Sequence, residues 1–345
     1  MTIDLSKAKE LKRRADRGEK LTPEERNYLD RALEIVRSRR AGPQGGADAK
    51  APPPGDRQPR PTFADVKYGP HERNTLDFWQ APSEQPTPVV VFIHGGGFVQ
   101  GDKRMGGNPE YLRHGVSVAS INYRFSTHAI FPAPFLDCAR AIQFLRSKAG
   151  PWNIDPRRIA STGGSAGGGM SLWLAFRDDL AEPDSDDPVA RQSTRLSCVA
   201  VRNAQCSYDP RFIKSIIPGS AYKIVNLVKL FGMRDADEID SPPAEKVRLF
   251  EAASAIRFLT PDDPPVFLAY GGVAVDHLPP NLDAGAGIHH PMFGKVLKEK
   301  MDELGIECVF RATRQELSSS PTEQEFVLKH LGRAGESRPE SKPAR

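Results

Sequence analysis

Two glycine-rich clusters hold the residues whose types and spacing could do chemistry. The first, Gly163-Gly164-Ser165-Ala166-Gly167, has the pattern G-x-S-x-G. A serine hydroxyl is a weak nucleophile until it is held exposed beside a base. This spacing supplies the exposure, because it seats the serine on a sharp strand-to-helix turn where only small residues let the two segments pass closely. The flanks fit: Arg158–Thr162 reads as a strand, and Gly167–Phe176 reads as a helix. Such a helix points its positive N-terminal end at the serine, where it favours a developing oxyanion. The second cluster, His94-Gly95-Gly96-Gly97-Phe98, follows the apolar run Val89–Ile93. Without side chains in the way, the N–H groups of Gly96 and Gly97, with that of Ala166, can turn toward a negative oxygen as an oxyanion hole. Each such donor is worth roughly 3–4 kcal/mol in the transition state. His94 opens this loop rather than facing the serine, so it reads as a structural hydrogen-bonder.

The residues around the two clusters carry a family likeness. Pro88–Lys103 (PVVVFIHGGGFVQGDK) resembles the HGGG esterases, the broad group around hormone-sensitive lipase and the BD-FAE-like feruloyl and acetyl xylan esterases. Its GDK ending leans toward the second. Asn122-Tyr123-Arg124, Phe131-Pro132-Ala133, Asp137, Ile154-Asp155-Pro156 with Arg158, and then GGSAGGG are similar to the same group. The likeness runs from about Tyr68 to Leu331 and thins over Arg177–Glu251. It implies an α/β-hydrolase fold and cleavage of carboxylic esters through an acyl-enzyme on Ser165. It also implies a triad acid after the strand PVFLAY, in a G-x-x-D-x-x-x-P setting. Asp276 matches that position, and Asp283 is next in line.

The likeness breaks at the histidine. The group places it shortly after the last strand, between about Ala312 and Thr322, where this chain reads ATRQELSSSPT. His330 lies late in the final helix and reads as a helix-end residue. A substitute base is therefore sought at His289, or its neighbour His290. They precede Pro291, which suits the first turn of a helix, and a helix after a strand begins at the sheet edge that carries catalytic loops. His277 is a weaker choice. The other reading is a catalytically impaired protein that binds a small molecule. The plant gibberellin receptors, similar to the same group, are understood to have lost the histidine while keeping the pocket.

The elements that must position these residues alternate. Buried-strand patterns at Val89–Ile93, Val116–Ile121, Arg158–Thr162, Cys198–Val201, Pro265–Tyr270 and Glu307–Arg311 are interleaved with helical spacing at Phe135–Lys148, Gly167–Phe176 and Phe293–Leu304. That order predicts an α/β fold with a mostly parallel central sheet covered by helices. The stretch 177–251 is expected to act as a cap insert over the site. Within it, Ile213–Phe231 either lines an acyl pocket or packs on the core.

The domain is expected to span 63–335, ahead of a disordered tail at 336–345. Residues 41–62 hold six prolines and four glycines and read as a linker. Residues 1–40 read as two short helices, the second capped by Thr22 with Pro23 and Glu25 and striped by Leu29, Ala32, Leu33 and Val36.

Composition limits the alternatives. The net charge of +4 comes wholly from residues 1–40, with 12 Lys+Arg against 8 Asp+Glu. A neutral catalytic body argues against nucleic acid as a partner. No apolar run approaches the ~20 residues of a membrane span. The basic N-terminus has no apolar core behind it, so it does not read as a secretory signal and a cytoplasmic location is expected, with a secreted origin as the alternative. Cys138, Cys198, Cys206 and Cys308 read as buried free thiols, with a Cys198–Cys206 disulfide as the alternative in an oxidising compartment. No P-loop, dinucleotide fingerprint or metal-ligand spacing is present, so no cofactor is implied. The expected partner is a small-molecule ester.

Overall fold

The computed structural model describes residues 59–106, 109–271 and 273–332, together with Glu10, Leu11, Arg14, Thr22, Glu25, Tyr28 and Leu29. Two compact units divide at Arg57–Gln58. In the first, Glu10, Leu11 and Arg14 are helical, as are Glu25, Tyr28 and Leu29. The capping box at Thr22 is present. The Glu25 N–H donates to Thr22 Oγ1 (3.2 Å) and the Thr22 N–H donates to Glu25 Oε2 (2.9 Å). Ala32, Leu33, Val36, most of the 41–62 linker and the 336–345 tail lie outside the described residues.

The second unit is built on an eight-stranded sheet in the order β1-β2-β4-β3-β5-β6-β7-β8. Its strands are β1 (Phe63–Lys67), β2 (Thr75–Trp79), β3 (Thr87–Ile93), β4 (Ser117–Ile121), β5 (Ile154–Gly164), β6 (Cys198–Arg202), β7 (Val266–Ala269) and β8 (Cys308–Arg311). All pairs from β4 through β8 are parallel, and the β1–β2 hairpin joins antiparallel at β4. The mostly parallel sheet predicted from the apolar runs is thus present.

Alternation along the strands feeds two cores, because successive side chains leave opposite faces of a strand. Val89, Val91 and Ile93 of β3, Val199 and Val201 of β6, and Val266 and Leu268 of β7 enter one cluster. Val90, Cys198, Ala200, Phe267 and Ala269 enter the other. The first face is covered by α2 (Ala133–Ser147), α3 (Ala166–Phe176) and α8 (Met292–Glu303), the second by α1 (Pro109–Arg113) and α10 (Glu323–Gly332), which follows the single turn α9 (Arg314–Leu317).

Three expectations are changed in detail. Two strands, β1 and β2, precede the first apolar run at Val89. In β2 (TLDFW), Asp77 interrupts the apolar pattern. Its carboxylate is buried and meets the buried Lys103 ammonium at 2.6 Å, so a charge inside a strand is matched by one from a distant loop. Upstream, the domain reaches back past residue 63, since the Trp79 indole donates to the Pro59 carbonyl (2.6 Å). Finally, 177–251 is not one cap insert. It is split by β6, which runs inside the sheet: 177–197 precedes that strand without a helix or strand, and the part beyond it carries α4 (Pro210–Ile216), α5 (Val225–Leu230) and α6 (Ala244–Ala252). Within Ile213–Phe231, the side chains of Ile213, Ile217, Leu227, Leu230 and Phe231 are buried in the main core. Cys138, Cys198, Cys206 and Cys308 are all buried, and none is in a disulfide.

Candidate active site

The parallel strands β3, β5, β6 and β7 bring their C-terminal ends to one edge, and the chemistry-bearing loops leave from there. β5 ends at Gly164, α3 begins at Ala166, and Ser165 between them sits at φ 52°, ψ −124°. A positive φ on a side-chain-bearing residue is costly and persists only where its surroundings fix it. Here they do. A Cβ at Gly163 would lie 2.6 Å from the Ile93 carbonyl oxygen, and one at Gly167 only 2.0 Å from the same atom. Both outer glycines of the motif therefore let the elbow press against the end of β3. The Ser165 N–H donates to the Arg202 carbonyl at the end of β6 (2.9 Å), closing the turn from the other side.

The loop after β3 passes directly by this elbow. A Cβ on Gly95 would lie 2.7 Å from the Gly164 carbonyl oxygen and 3.5 Å from Ser165 Cβ. Gly96, Gly97 and Phe98 all have positive φ (102°, 59° and 66°). The N–H groups of Gly96, Gly97 and Ala166 donate no backbone hydrogen bond to the described residues. His94 is fully buried and faces away from this set. Its Nδ1 bonds the Gly95 carbonyl (2.7 Å), its Nε2 is 3.4 Å from Arg73 Nη2, and its ring stacks on Tyr123. Burial pushes its imidazole down to about 4, so it stays neutral at ordinary pH.

His289 comes to Ser165 from the connection between β7 and α8. Its Nε2 is 2.8 Å from Ser165 Oγ, and its Nδ1 is 2.8 Å from the Gly285 carbonyl oxygen. A carbonyl only accepts, so Nδ1 carries the proton and Nε2 is left as the acceptor for the serine hydroxyl. His290 does not reach the serine. It is buried, its Nε2–H donates to the His277 carbonyl (3.1 Å), and its Nδ1 accepts from the Met292 N–H (3.1 Å). That tie holds the two ends of the connection together. Burial lowers the pKa of His290. His330 packs on Phe326 in α10, with Nε2 3.4 Å from Glu307.

Asp276 is not brought to His289. It is exposed, and its carboxylate makes no hydrogen bond or ion pair with the described residues. The other carboxylate of the connection, Asp283, caps the short helix α7 (Ala284–Gly287), accepting from the N–H groups of Gly285 (2.9 Å) and Ala286 (3.0 Å).

Three residues at the site went unread in the sequence. Gln205 is buried just past β6. Its amide donates to the Ile288 carbonyl (2.5 Å) and the Asn203 carbonyl (3.1 Å), and its Oε1 accepts from the Tyr208 hydroxyl (3.2 Å). Tyr208 in turn reaches the Ala166 carbonyl (3.4 Å). These two side chains thus link the histidine connection to the helix that follows the serine. The only available signal was an amide next to a strand end. The third is Asn226 of α5, whose Nδ2 stands over Gly97, 1.6 Å from where a Cβ would be.

Known proteins share this arrangement of elements. The model of the BD-FAE family matches residues 76–278. Esterase LipQ of Mycobacterium tuberculosis is 30% identical over 215 residues, covering 60% of this chain and 48% of LipQ. The probable carboxylic ester hydrolase LipM of the same organism is 28% identical over 245 residues, covering 66% of this chain and 53% of LipM. The chain spans about half the length of these curated relatives. Among solved structures, a truncated carbohydrate esterase from gut microbiota superposes with a TM-score of 0.58 at 20% identity, over 78% of this chain and 96% of that one. Thermogutta terrifontis Est2 with butyrate bound gives 0.51 at 18% identity, over 78% and 91%. These likenesses give the α/β-hydrolase fold. The family match contains the serine elbow and the glycine loop but ends before His289, and over that span the chain belongs to the BD-FAE family.

Proposed function

We propose that this chain hydrolyses carboxylic esters of small molecules through an acyl-enzyme on Ser165. The observation that carries the reading is the 2.8 Å contact between Ser165 Oγ and His289 Nε2, with the histidine tautomer set by its bond to the Gly285 carbonyl. Ser165 Oγ attacks the ester carbonyl carbon while Nε2 takes its proton. The carbonyl oxygen becomes an oxyanion and is held by the N–H groups of Gly96, Gly97 and Ala166. Collapse of this intermediate expels the alcohol, protonated by the imidazolium. Water activated by the same imidazole then releases the acid and restores the serine. Asp276 enters this reading as a carboxylate on the connection that carries His289, acting by charge rather than by direct hydrogen bond. The relatives named as esterases support the reaction class.

The competing view, a small-molecule binder without a base, has its premise in the missing histidine after β8. A histidine bonded to the serine from another connection favours the enzyme. A fluorophosphonate probe and a short-chain p-nitrophenyl ester test the proposal. Labelling and turnover are expected, with both lost in Ser165→Ala. His289→Ala should slow turnover by about 10³-fold or more, whereas His290→Ala should act mainly on stability. An unlabelled wild-type protein with no turnover overturns the proposal.

A further inference from the structure

We propose that the group orienting His289 is the carbonyl of Gly285, and that Asp283 is the positioning residue holding that carbonyl in place. The inference rests on the reading of His289 as the base.

One peptide unit links Asp283 to His289. The Gly285 C=O and the Ala286 N–H belong to the same planar amide and point in opposite directions. The N–H end donates to Asp283 Oδ1 (3.0 Å), and the C=O end accepts from His289 Nδ1–H (2.8 Å). Pinning one end of a rigid plane fixes the direction of the other. The Gly285 N–H, at 2.9 Å from the same carboxylate oxygen, pins the preceding plane as well.

This peptide needs such a hold. α7 is four residues long, too short for its own turn hydrogen bonds to stabilise it. Its neighbours are fixed independently. The Leu282 carbonyl packs on Gly219, where a Cβ would lie 2.5 Å from it, and the Ile288 carbonyl takes the Gln205 amide. Between these two anchors Gly285 and Ala286 are exposed, and the polar side chain bonded to their amides is Asp283. Asp283 is itself exposed, so its charge is screened by water. Its effect on His289 is therefore exerted through the position of its oxygen, and a neutral acceptor can replace it.

The test compares kcat and KM on p-nitrophenyl butyrate for the full chain and its variants. Asp283→Ala should lower kcat about tenfold, as expected for a misplaced catalytic group, with KM within about twofold. Asp283→Ser and Asp283→Asn keep a capping acceptor and should return kcat to within about twofold of wild type. In ¹⁵N-histidine-labelled protein, His289 should appear as the Nδ1–H tautomer, with its Nδ1 proton signal lost in Asp283→Ala and recovered in Asp283→Ser.

Wild-type kcat in Asp283→Ala overturns the proposal, as does equal loss in all three Asp283 variants. So does a wild-type spectrum showing the Nε2–H tautomer, a measurement that needs no variant to fold. Controls separate this failure from that of the function. Undiminished turnover in Ser165→Ala or His289→Ala sinks the hydrolase reading. Loss in both with none in Asp283→Ala sinks only the role of Asp283.

Discussion

The serine side and the histidine side of the site are held by different physics. Around Ser165 the constraint is steric. Gly95, Gly163 and Gly167 each approach a backbone oxygen so closely that no side chain fits, and the strained φ of Ser165 is fixed by the end of β3 on one side and of β6 on the other. Around His289 the constraint is polar. A four-residue helix is capped by Asp283, and the chain on either side of it is held by single hydrogen bonds, from Gln205 to Ile288 and from His290 to His277. Close packing tolerates little substitution, so it leaves a readable motif. A set of single hydrogen bonds can be assembled from many residue types, so it leaves none.

The sharpest test of this difference is on the serine side. Gly167→Ala places a Cβ 2.0 Å from the Ile93 carbonyl oxygen, and backbone must move to admit it. A loss of more than about 3 kcal/mol, or no folded protein, is expected. Gly164→Ala meets its nearest neighbour, the Arg202 carbonyl oxygen, at 3.6 Å and should stay within about 1 kcal/mol in urea unfolding. If the two variants unfold alike, the elbow is not sterically set.

On the histidine side, Gln205→Leu takes the amide donor from the Ile288 carbonyl and leaves the Tyr208 hydroxyl with the Ala166 carbonyl alone. Leaving buried polar groups unpaired costs about 2 kcal/mol, and kcat should fall with stability because His289 follows Ile288. Stability lost with kcat unchanged would show that this tie does not position the histidine.

The smallest effect concerns His94, at the foot of the oxyanion loop. Its folded-state value of about 4 lies below the ordinary 6.5, so the unfolded chain takes up the proton first as pH falls. Stability should decline as pH drops below about 6.5, with the loss levelling off below about 4. His94 accounts for about 1–2 kcal/mol of it by pH 5. His94→Asn should show a correspondingly shallower decline from pH 7 to pH 5 in urea unfolding, and parallel curves would remove His94 as the cause.

What the sequence made legible follows the same division. The β3 and β5 runs, the elbow and the glycine loop were readable because burial on both faces of a parallel strand and close backbone approach each demand particular residue types. His289 was singled out by its place before a helix after β7. Its bond to Ser165, a partner 124 positions away, depends on the shape of α7, which no local pattern encodes. The family position for an acid pointed to Asp276, whereas the carboxylate tied to the histidine turn is Asp283, whose role is visible only through the amides it caps. β1 and β2 were missed because the Asp77 charge breaks the apolar pattern and is matched by Lys103 far along the chain.

The Asp77–Lys103 pair has a further consequence, for where the protein can be cut. Lys103 sits just past the glycine loop, and its buried ammonium is met by Asp77 and also by Asp65 of β1 at 2.8 Å. Phe63 of β1 stacks on Trp152, and the chain ahead of β1 caps the Trp79 indole at Pro59. Family likeness begins at residue 76, inside this network. A fragment trimmed to that boundary keeps every residue assigned to the reaction, yet it removes one of the two carboxylates on Lys103 and uncovers an aromatic stack. A piece that keeps these contacts reaches back to Pro59, and the hairpin at the sheet edge belongs to it as fully as the elbow does.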